Sequence, residues 1–243
     1  NKTLMIYSQI LGTGSFLPEK VLTNYSLEKM VNTTHEWILE RTGIRQRHIA
    51  TDSDNAVTMA DIAGRQALGA AALTPKDIDM IIVASTTPHM VFPSTACLLQ
   101  ERYRIGGCPA FDLNASACAG FMYGLSIADQ YIRTGTIKTA LIIGSEVMSR
   151  IMDWQDRSTC VLFGDGAGAV VLGGSTEPGA LSNHLHAVGT YKDVLYLPLG
   201  SKNTQNVETV KMVGNQLFKL AVNILEDLFD GTLAANNIQK KEI

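Results

Sequence analysis

Short apolar runs alternate along the chain with longer segments in which apolar residues recur at helical spacing. The predicted strands are MIYSQILGTG, IDMIIVAST, CPAFDLN, TALIIGSEV, GAGAVVLGG and LSNHLHAVGT. Several of them are nearly continuous in Val, Ile and Leu, which is typical of strands buried on both faces. Strands that alternate with helices indicate an α/β fold in which helices cover a sheet.

Helix signals lie between these strands. In TTHEWILERTG, Thr33 and Glu36 have the spacing of a capping box, and Gly43 is the expected stop. The segment TMADIAGRQALGAAAL repeats the signal with Thr58 and Asp61.

Further along, Thr74 before Pro75 predicts another helix start. The segment NQLFKLAVNILEDLFDGTLAANN predicts a long final helix. Residues 197–210, which precede it, have little apolar periodicity and predict a surface loop.

Composition narrows the possible functions. The chain has 243 residues, of which 46% are hydrophobic, so it can bury a large core in one or two domains. Its net charge of -3 gives no electrostatic drive toward nucleic acid or an anionic membrane. No run approaches the ~18 to 20 apolar residues of a membrane span. We expect a soluble cytoplasmic protein that acts on a small molecule.

The four cysteines show neither CxxC pairs nor the crowding of a disulfide scaffold, so a reducing compartment fits them; they are Cys97, Cys108, Cys118 and Cys160. Cys118 lies where a strand pattern gives way to a helix pattern. The helical spacing is carried by Phe121, Leu125, Ala128 and Ile132. A helix N-terminus lowers the pKa of a thiol, and small neighbours would admit a substrate. Spacing alone nevertheless favours the alternative, an inert buried cysteine.

The glycine-rich stretches test a different function. FGDGAGAVVLGG partly resembles a dinucleotide-binding fingerprint, but that motif must end a strand and open a helix, whereas AVVLGG continues as a strand. In LGTGSFLP, Gly12 and Gly14 are followed by Pro18, which interrupts a helix start. An NAD-dependent oxidoreductase is therefore disfavoured. Tight turns and close backbone approach around the active centre explain the glycines better.

Taken together, several segments closely resemble β-ketoacyl-acyl carrier protein synthase III, the initiating condensing enzyme of bacterial type II fatty-acid synthesis. They are ILGTGSFLPEKVLTN, EWILERTGIRQRHIA, VFPSTACLLQ, CPAFDLNASACAGF, DRSTCVLFGDGAGAVVL and MVGNQLFKLAV. The resemblance implies an α/β thiolase-like five-layer αβαβα fold in a homodimer. It places one half at residues 5–174, which carries the cysteine, and the start of a second, incomplete half at residues 175–243.

The resemblance implies that Cys118 takes an acyl group from acyl-CoA, usually acetyl-CoA, as a thioester. Malonyl-acyl carrier protein then loses CO2, and the carbanion attacks the thioester to give a 3-oxoacyl product. Neither a metal nor a redox cofactor is implied. In the family the cysteine lies one residue nearer to the Phe-Asp pair than in FDLNASAC.

The resemblance also implies the binding residues. Trp37 resembles the indole that stacks on the CoA adenine, with Arg157 on its other face and Thr33 and Arg41 nearby. The implied pantetheine tunnel includes Met212, Gly214, Asn215 and Phe218. Lys219 resembles part of the patch that receives the acidic carrier protein, and Phe92 the residue that shapes the partner's acyl pocket. Without the resemblance, the aromatic residues would be ordinary packing residues and Lys219 a solvated one.

The family also uses a histidine in an HQAN-type motif and a later asparagine to assist decarboxylation, and neither motif occurs in this chain. We therefore expect the chain to correspond to a condensing enzyme truncated inside its second half. One alternative is a non-catalytic acyl-CoA-binding remnant. A second is a related polyketide or alkylquinolone-type condensing enzyme that uses the same cysteine.

Overall fold

The computed structural model describes residues 6–114, 117–198 and 208–243. The chain divides into two compact units. The first comprises Asn1–Lys20, His48–Val147 and Asp165–Leu181, and the second Val21–Arg47, Met148–Gly164 and Ser182–Ile243. The predicted halves, residues 5–174 and 175–243, rest on the resemblance to the family and not on contacts within the chain. The boundary between these halves therefore stays a prediction.

The strands in chain order are β1 Tyr7–Phe16, β2 Lys20–Thr23, β3 Gln46–Ile49, β4 Met80–Ala84, β5 Ala110–Leu113, β6 Thr139–Val147, β7 Asp165–Ser175, β8 Leu195–Tyr196 and β9 Lys211–Met212. The helices are α1 Asn24–Leu27, α2 His35–Thr42, α3 Ala56–Ala70, α4 Thr95–Arg102, α5 Gly120–Arg133, α6 Arg157–Cys160 and α7 Gly214–Ala235. The sequence predicted most of the long elements correctly. No helix in the described part of the chain is long and apolar enough to cross a membrane.

The first unit is built on a five-stranded sheet in the order β1-β7-β6-β4-β5. Strand β4 is parallel to β5 and β6, and β7 is antiparallel to β6 and β1. One face packs against α3 and α4 through Ile81, Val83, Leu141, Ile143, Ala169 and Val171. The other packs against α5 through Met80, Ile82, Ala140, Ile142, Val170 and Leu172. The sheet is therefore buried on both faces, as its apolar runs predicted.

The second unit has a smaller core around Leu27, Ile38, Cys160 and Val161. The buried Arg47 guanidinium donates to the carbonyl oxygens of Leu22, at 3.2 Å, and Val161, at 2.9 Å, and to the Asn24 side chain, at 2.9 Å. Burial lowers the pKa of Arg47 from its ordinary value. This arginine ties the chain around α1 to the end of α6.

Two helix starts differ from the sequence prediction. The Thr34 side chain, rather than that of Thr33, caps α2 by accepting from the Trp37 amide at 3.1 Å, while Gly43 ends the helix with a φ of 72° as predicted. Helix α3 begins earlier than predicted, because Asn55 accepts from two first-turn amides and Thr58 completes the capping box. In both cases, neighbouring residues are competent caps and the tertiary path of the chain selects one.

The strand predicted for LSNHLHAVGT is wrong. Its residues are mostly exposed and irregular, and a 3-10 turn begins at Gly189. Alternating apolar residues form a strand only where a partner strand is available, and none of the described strands pairs with this segment. Of the predicted loop at 197–210, residues 199–207 lie outside the described residues. Strand β7 continues through the glycine-rich stretch as expected, so that stretch opens no helix.

Candidate active site

Cys118 lies in a 3-10 turn, Ala117–Ala119, that leads directly into α5. Its side chain is exposed, so the prediction that this cysteine is buried is wrong, while its reactivity stays a prediction. The N-cap residue of α5, Ala119, makes no side-chain capping bond. The helix N-terminus beside Cys118 therefore receives no side-chain acceptor from Ala119, and the positive end of a helix favours a thiolate or an oxyanion. The predicted one-residue insertion before Cys118 stays a prediction, because Ala115 and Ser116 lie outside the described residues.

Small residues let the start of α5 approach the sheet closely. A Cβ on Gly120 would lie 3.1 Å from the Ala84 Cβ, and one on Gly124 would lie 3.0 Å from a methyl carbon of Ile142. These contacts place the N-terminus of α5 against the carboxyl end of β4. This is the edge at which open α/β sheets bind their ligands.

The other three cysteines have surroundings that suit structural roles. Cys160 is fully buried, and burial raises the pKa of its thiol. The Cys97 thiol donates to the Ala110 carbonyl oxygen at 3.4 Å, and the Cys108 sulfur accepts from the Gln100 amide at 3.3 Å. Both are half-buried. Cys118 is thus the exposed cysteine of the chain.

In the second unit, the structure brings Trp37 together with both predicted arginines. The guanidinium carbon of Arg157 lies 4.5 Å from the centroid of the Trp37 ring, and that of Arg41 lies 5.0 Å from it. The Arg157 guanidinium also donates to the Asn32 carbonyl oxygen at 3.0 Å. Asp156 caps the short helix of Arg157; burial raises the Asp156 pKa, but hydrogen bonds from Ser158 and Thr159 outweigh this and lower it overall.

The spacing of this cluster limits how a base could bind. A flat ring between Trp37 and Arg157 needs two stacking distances of about 3.5 Å each, or about 7 Å in total. At 4.5 Å the indole and the guanidinium are in direct contact, so a base can enter only if Arg157 moves aside. The Thr33 hydroxyl oxygen is shielded from solvent and has no hydrogen-bond partner among the described residues.

The predicted tunnel residues gather around the start of α7. Met212 is half-buried on β9 and pairs with Leu195, while Gly214 and Asn215 begin the helix. Phe218 is 70% exposed, and Lys219 beside it is also exposed. An apolar groove of about 400 Å³ lies on another face of α7, and none of the predicted site residues lines it.

Phe92 lies in the loop between β4 and α4 and is 84% exposed. Sequence reasoning missed two carboxylates that contact the ends of this loop, Asp112 on β5 and Glu146 on β6. The available signal was a charged residue at the end of the apolar run TALIIGSEV. Burial raises the pKa of Glu146, and hydrogen bonds from Thr87 and Thr86 partly offset the increase.

The fold is that of the thiolase-like condensing enzymes. The structure of 3-oxoacyl-[acyl-carrier-protein] synthase III from Aquifex aeolicus VF5 superposes with a TM-score of 0.86 at 41% identity, covering 97% of this chain and 74% of that one. The priming β-ketosynthase of the R1128 polyketide pathway superposes with a TM-score of 0.82 at 31% identity, covering 90% and 67%. The predicted fold class is therefore confirmed.

Sequence comparison identifies the family. The family model for 3-oxoacyl-[acyl-carrier-protein] synthase III matches residues 111–189, which include Cys118. The β-ketoacyl-[acyl-carrier-protein] synthase III of Methylococcus capsulatus (strain Bath) is 54% identical over 240 residues, covering 98% of this chain and 74% of the relative. The chain therefore belongs to the β-ketoacyl-acyl carrier protein synthase III family, the acyltransferases of the initiating condensation in fatty-acid synthesis.

Proposed function

We propose that Cys118 is the nucleophile of a decarboxylative condensation between an acyl-CoA, in the first place acetyl-CoA, and malonyl-acyl carrier protein. The observation that carries the proposal is the exposed cysteine at the uncapped start of α5. Its thiolate attacks the acyl carbonyl carbon, and the amides of the helix start stabilise the oxyanion. CoA then leaves as a thiolate, and the acyl group stays on Cys118 as a thioester.

In the second half-reaction, malonyl-acyl carrier protein loses CO2, and the resulting carbanion attacks the thioester carbonyl. The carbon–sulfur bond breaks, the Cys118 thiolate is regenerated, and the 3-oxoacyl group remains on the carrier protein. A thioester suits this step because its carbonyl is electrophilic and a thiolate leaves readily. No metal or redox cofactor takes part in either step as proposed.

The residues around Trp37 bind the CoA nucleotide in this proposal. The indole stacks on the adenine, and Arg157 moves off the indole to cover the other face of the base. Arg41 adds positive charge for the phosphates. The unpaired, shielded hydroxyl of Thr33 supports a ligand contact at this position, because buried polar atoms are normally hydrogen-bonded.

The pantetheine arm is assigned to Met212, Gly214, Asn215 and Phe218. The high exposure of Phe218 supports this role, since a large exposed aromatic side chain gains by contact with an apolar ligand. Lys219 is assigned to the surface that receives the acidic carrier protein. Phe92 is assigned to the acyl pocket of the partner in a homodimer. The proposed enzyme acts in the cytoplasm and has no nucleic-acid or membrane partner.

Two alternatives remain distinct from this proposal. A polyketide priming enzyme has the same fold, but this chain is 31% identical to it and 54% identical to a β-ketoacyl synthase III. The higher identity favours fatty-acid synthesis. A non-catalytic acyl-CoA-binding protein would form no acyl-cysteine. Acylation of Cys118 therefore separates an enzyme from a binding protein.

The first prediction follows from the environments of the four cysteines. After incubation of the enzyme with acetyl-CoA, we expect an acetyl group on Cys118 and on none of the others, because Cys118 combines exposure with a helix N-terminus. Peptide mass spectrometry locates the adduct. Acetylation of Cys97, Cys108 or Cys160 with Cys118 unmodified would contradict the proposal.

The second prediction concerns the CoA nucleotide. Trp37→Ala and Arg157→Ala should each weaken CoA binding by about 1 to 3 kcal/mol, because each removes one stacking surface from the base. Isothermal titration calorimetry at constant ionic strength measures the change. Arg65→Ala is a matched control, since Arg65 also lies over an aromatic ring, that of Tyr103, at 4.9 Å. Equal affinities for the parent and both variants would remove the assignment.

A further inference from the structure

The loop of residues 85–94, here called the Phe92 loop, connects β4 to α4 and carries an exposed apolar tip. Met90 is 43% exposed, Val91 89% and Phe92 84%. Consecutive exposed apolar side chains of this kind indicate a contact surface. The position of the tip depends on how the two ends of the loop are held.

Glu146 holds the first end. Its Oε1 accepts from the Thr86 amide at 2.7 Å, and its Oε2 accepts from the Thr87 hydroxyl at 2.6 Å. The Thr86 hydroxyl lies 3.0 Å from both carboxylate oxygens. The Thr87 hydroxyl also accepts from the Val147 amide at 2.7 Å. The loop is thus fastened to the end of β6 as it leaves β4.

Asp112 holds the second end. Its Oδ2 accepts from the Thr95 amide at 2.6 Å, and its Oδ1 accepts from the Ala96 amide at 2.9 Å. These amides belong to the first turn of α4, where Ser94 is the N-cap. Strands β5 and β6 lie on either side of β4. Each neighbour of the strand that feeds the loop therefore supplies one carboxylate to fasten it.

Charge-assisted hydrogen bonds are shorter and stronger than neutral ones, and a bidentate acceptor fixes direction as well as distance. Both carboxylates make at least two such bonds with the chain at the loop ends. Burial penalises the charge on Glu146, so a neutral side chain would be easier to accommodate if packing alone were needed.

We propose that Asp112 and Glu146 are positioning residues that fix the Phe92 loop and so set the length of acyl chain that the enzyme accepts. The proposal rests on the proposed role of Phe92 in shaping the acyl pocket. Loosening either end of the loop lets the tip retreat and enlarges that pocket. Neither carboxylate contacts the substrate in this proposal.

The test compares hexanoyl-CoA with acetyl-CoA as the primer. In Glu146→Gln and Asp112→Asn, the ratio of kcat/KM for hexanoyl-CoA to that for acetyl-CoA should rise about three- to tenfold. The factor corresponds to the loss of about one neutral hydrogen bond, because the amide keeps one acceptor oxygen but no charge. Asp79→Asn is the matched control. Asp79 accepts from the Lys138 and Thr139 amides at 2.8 and 3.0 Å at the opposite end of the sheet, so the ratio should not change.

A second pair of variants serves if either carboxylate variant fails to fold. Thr87→Val removes the hydroxyl that lies 2.6 Å from Glu146, whereas Thr87→Ser keeps it. We expect the raised ratio in Thr87→Val and the parent ratio in Thr87→Ser. Equal ratios in these two variants and the parent would overturn the proposal.

Combination with Phe92→Ala separates positioning from general stabilisation. If the carboxylates act through Phe92, then Glu146→Gln should change the ratio no further in a Phe92→Ala background. A full additive effect there would overturn the proposal. If Phe92→Ala changes the ratio and the carboxylate variants do not, only the positioning role is wrong. If Phe92→Ala itself has no effect, the proposed role of Phe92 is wrong and this inference with it.

Discussion

Replacing Cys118 with alanine is expected to lower the rate of 3-oxoacyl product formation by about a thousandfold or more, because no covalent acyl intermediate can form. The measurement is product formed from acetyl-CoA and malonyl-acyl carrier protein by the native enzyme and its variant. The loss should appear in kcat, since the residues proposed to bind CoA are unchanged. Affinity for CoA should stay within about twofold of the parent, a difference below 0.5 kcal/mol.

Cys108→Ala is the control for this experiment. Cys108 is half-buried near the start of β5, and its sulfur accepts from the Gln100 side-chain amide at 3.3 Å. Its removal should leave the condensation rate close to that of the parent enzyme. A Cys118→Ala enzyme that keeps a tenth or more of the parent rate would show that the acyl group is carried elsewhere; this limit is about 1.4 kcal/mol of barrier.

Much of the first unit could be predicted because its determinants are local. The apolar runs that form β4, β6 and β7 are buried on both faces, and their high content of Val, Ile, Leu and Ala predicts that burial. The helix after Cys118 followed from apolar spacing, and the structure places the cysteine in the turn before it. The exposure of Cys118 could not be read this way, since small neighbours suit both a buried and an open site.

The sequence predictions failed where distant parts of the chain determine the local structure. Thr33 and Thr34 have equal capping chemistry, and only the path of the chain into α2 selects Thr34. LSNHLHAVGT has strand-like alternation but no partner strand among the described residues. Glu146 accepts from Thr86, which lies 60 positions away along the chain, and Asp112 accepts from Thr95, which lies 17 positions away. Local periodicity contains no information about contacts at these separations.

The role of the N-terminal glycines could be predicted in part. Close backbone approach was expected around the active centre, and the structure shows it between β1 and α3. A Cβ on Gly14 would overlap the carbonyl oxygen of Ala63 and lie 2.5 Å from the amide nitrogen of Ala67. Gly12 makes the same kind of approach one turn further along, against Ala67 and Ala71. The LGTG sequence therefore serves packing of the edge strand against a helix.

Gly14→Ala is accordingly expected to lower the free energy of unfolding by about 3 kcal/mol or more, because neither the strand nor the helix backbone can move aside without disturbing the sheet. Chemical denaturation monitored by circular dichroism measures the loss. Gly168→Ala is the matched control. Gly168 lies on β7 and pairs with Ser15, beside Gly14 in the same ladder. Apart from its two chain neighbours, no described residue has an atom within 4 Å of a Cβ added to Gly168. Alanine there should leave stability unchanged or raise it by about 0.5 to 1 kcal/mol, since it restricts the unfolded chain. Equal stabilities for the two variants would show that the contact between β1 and α3 is looser than the structure indicates.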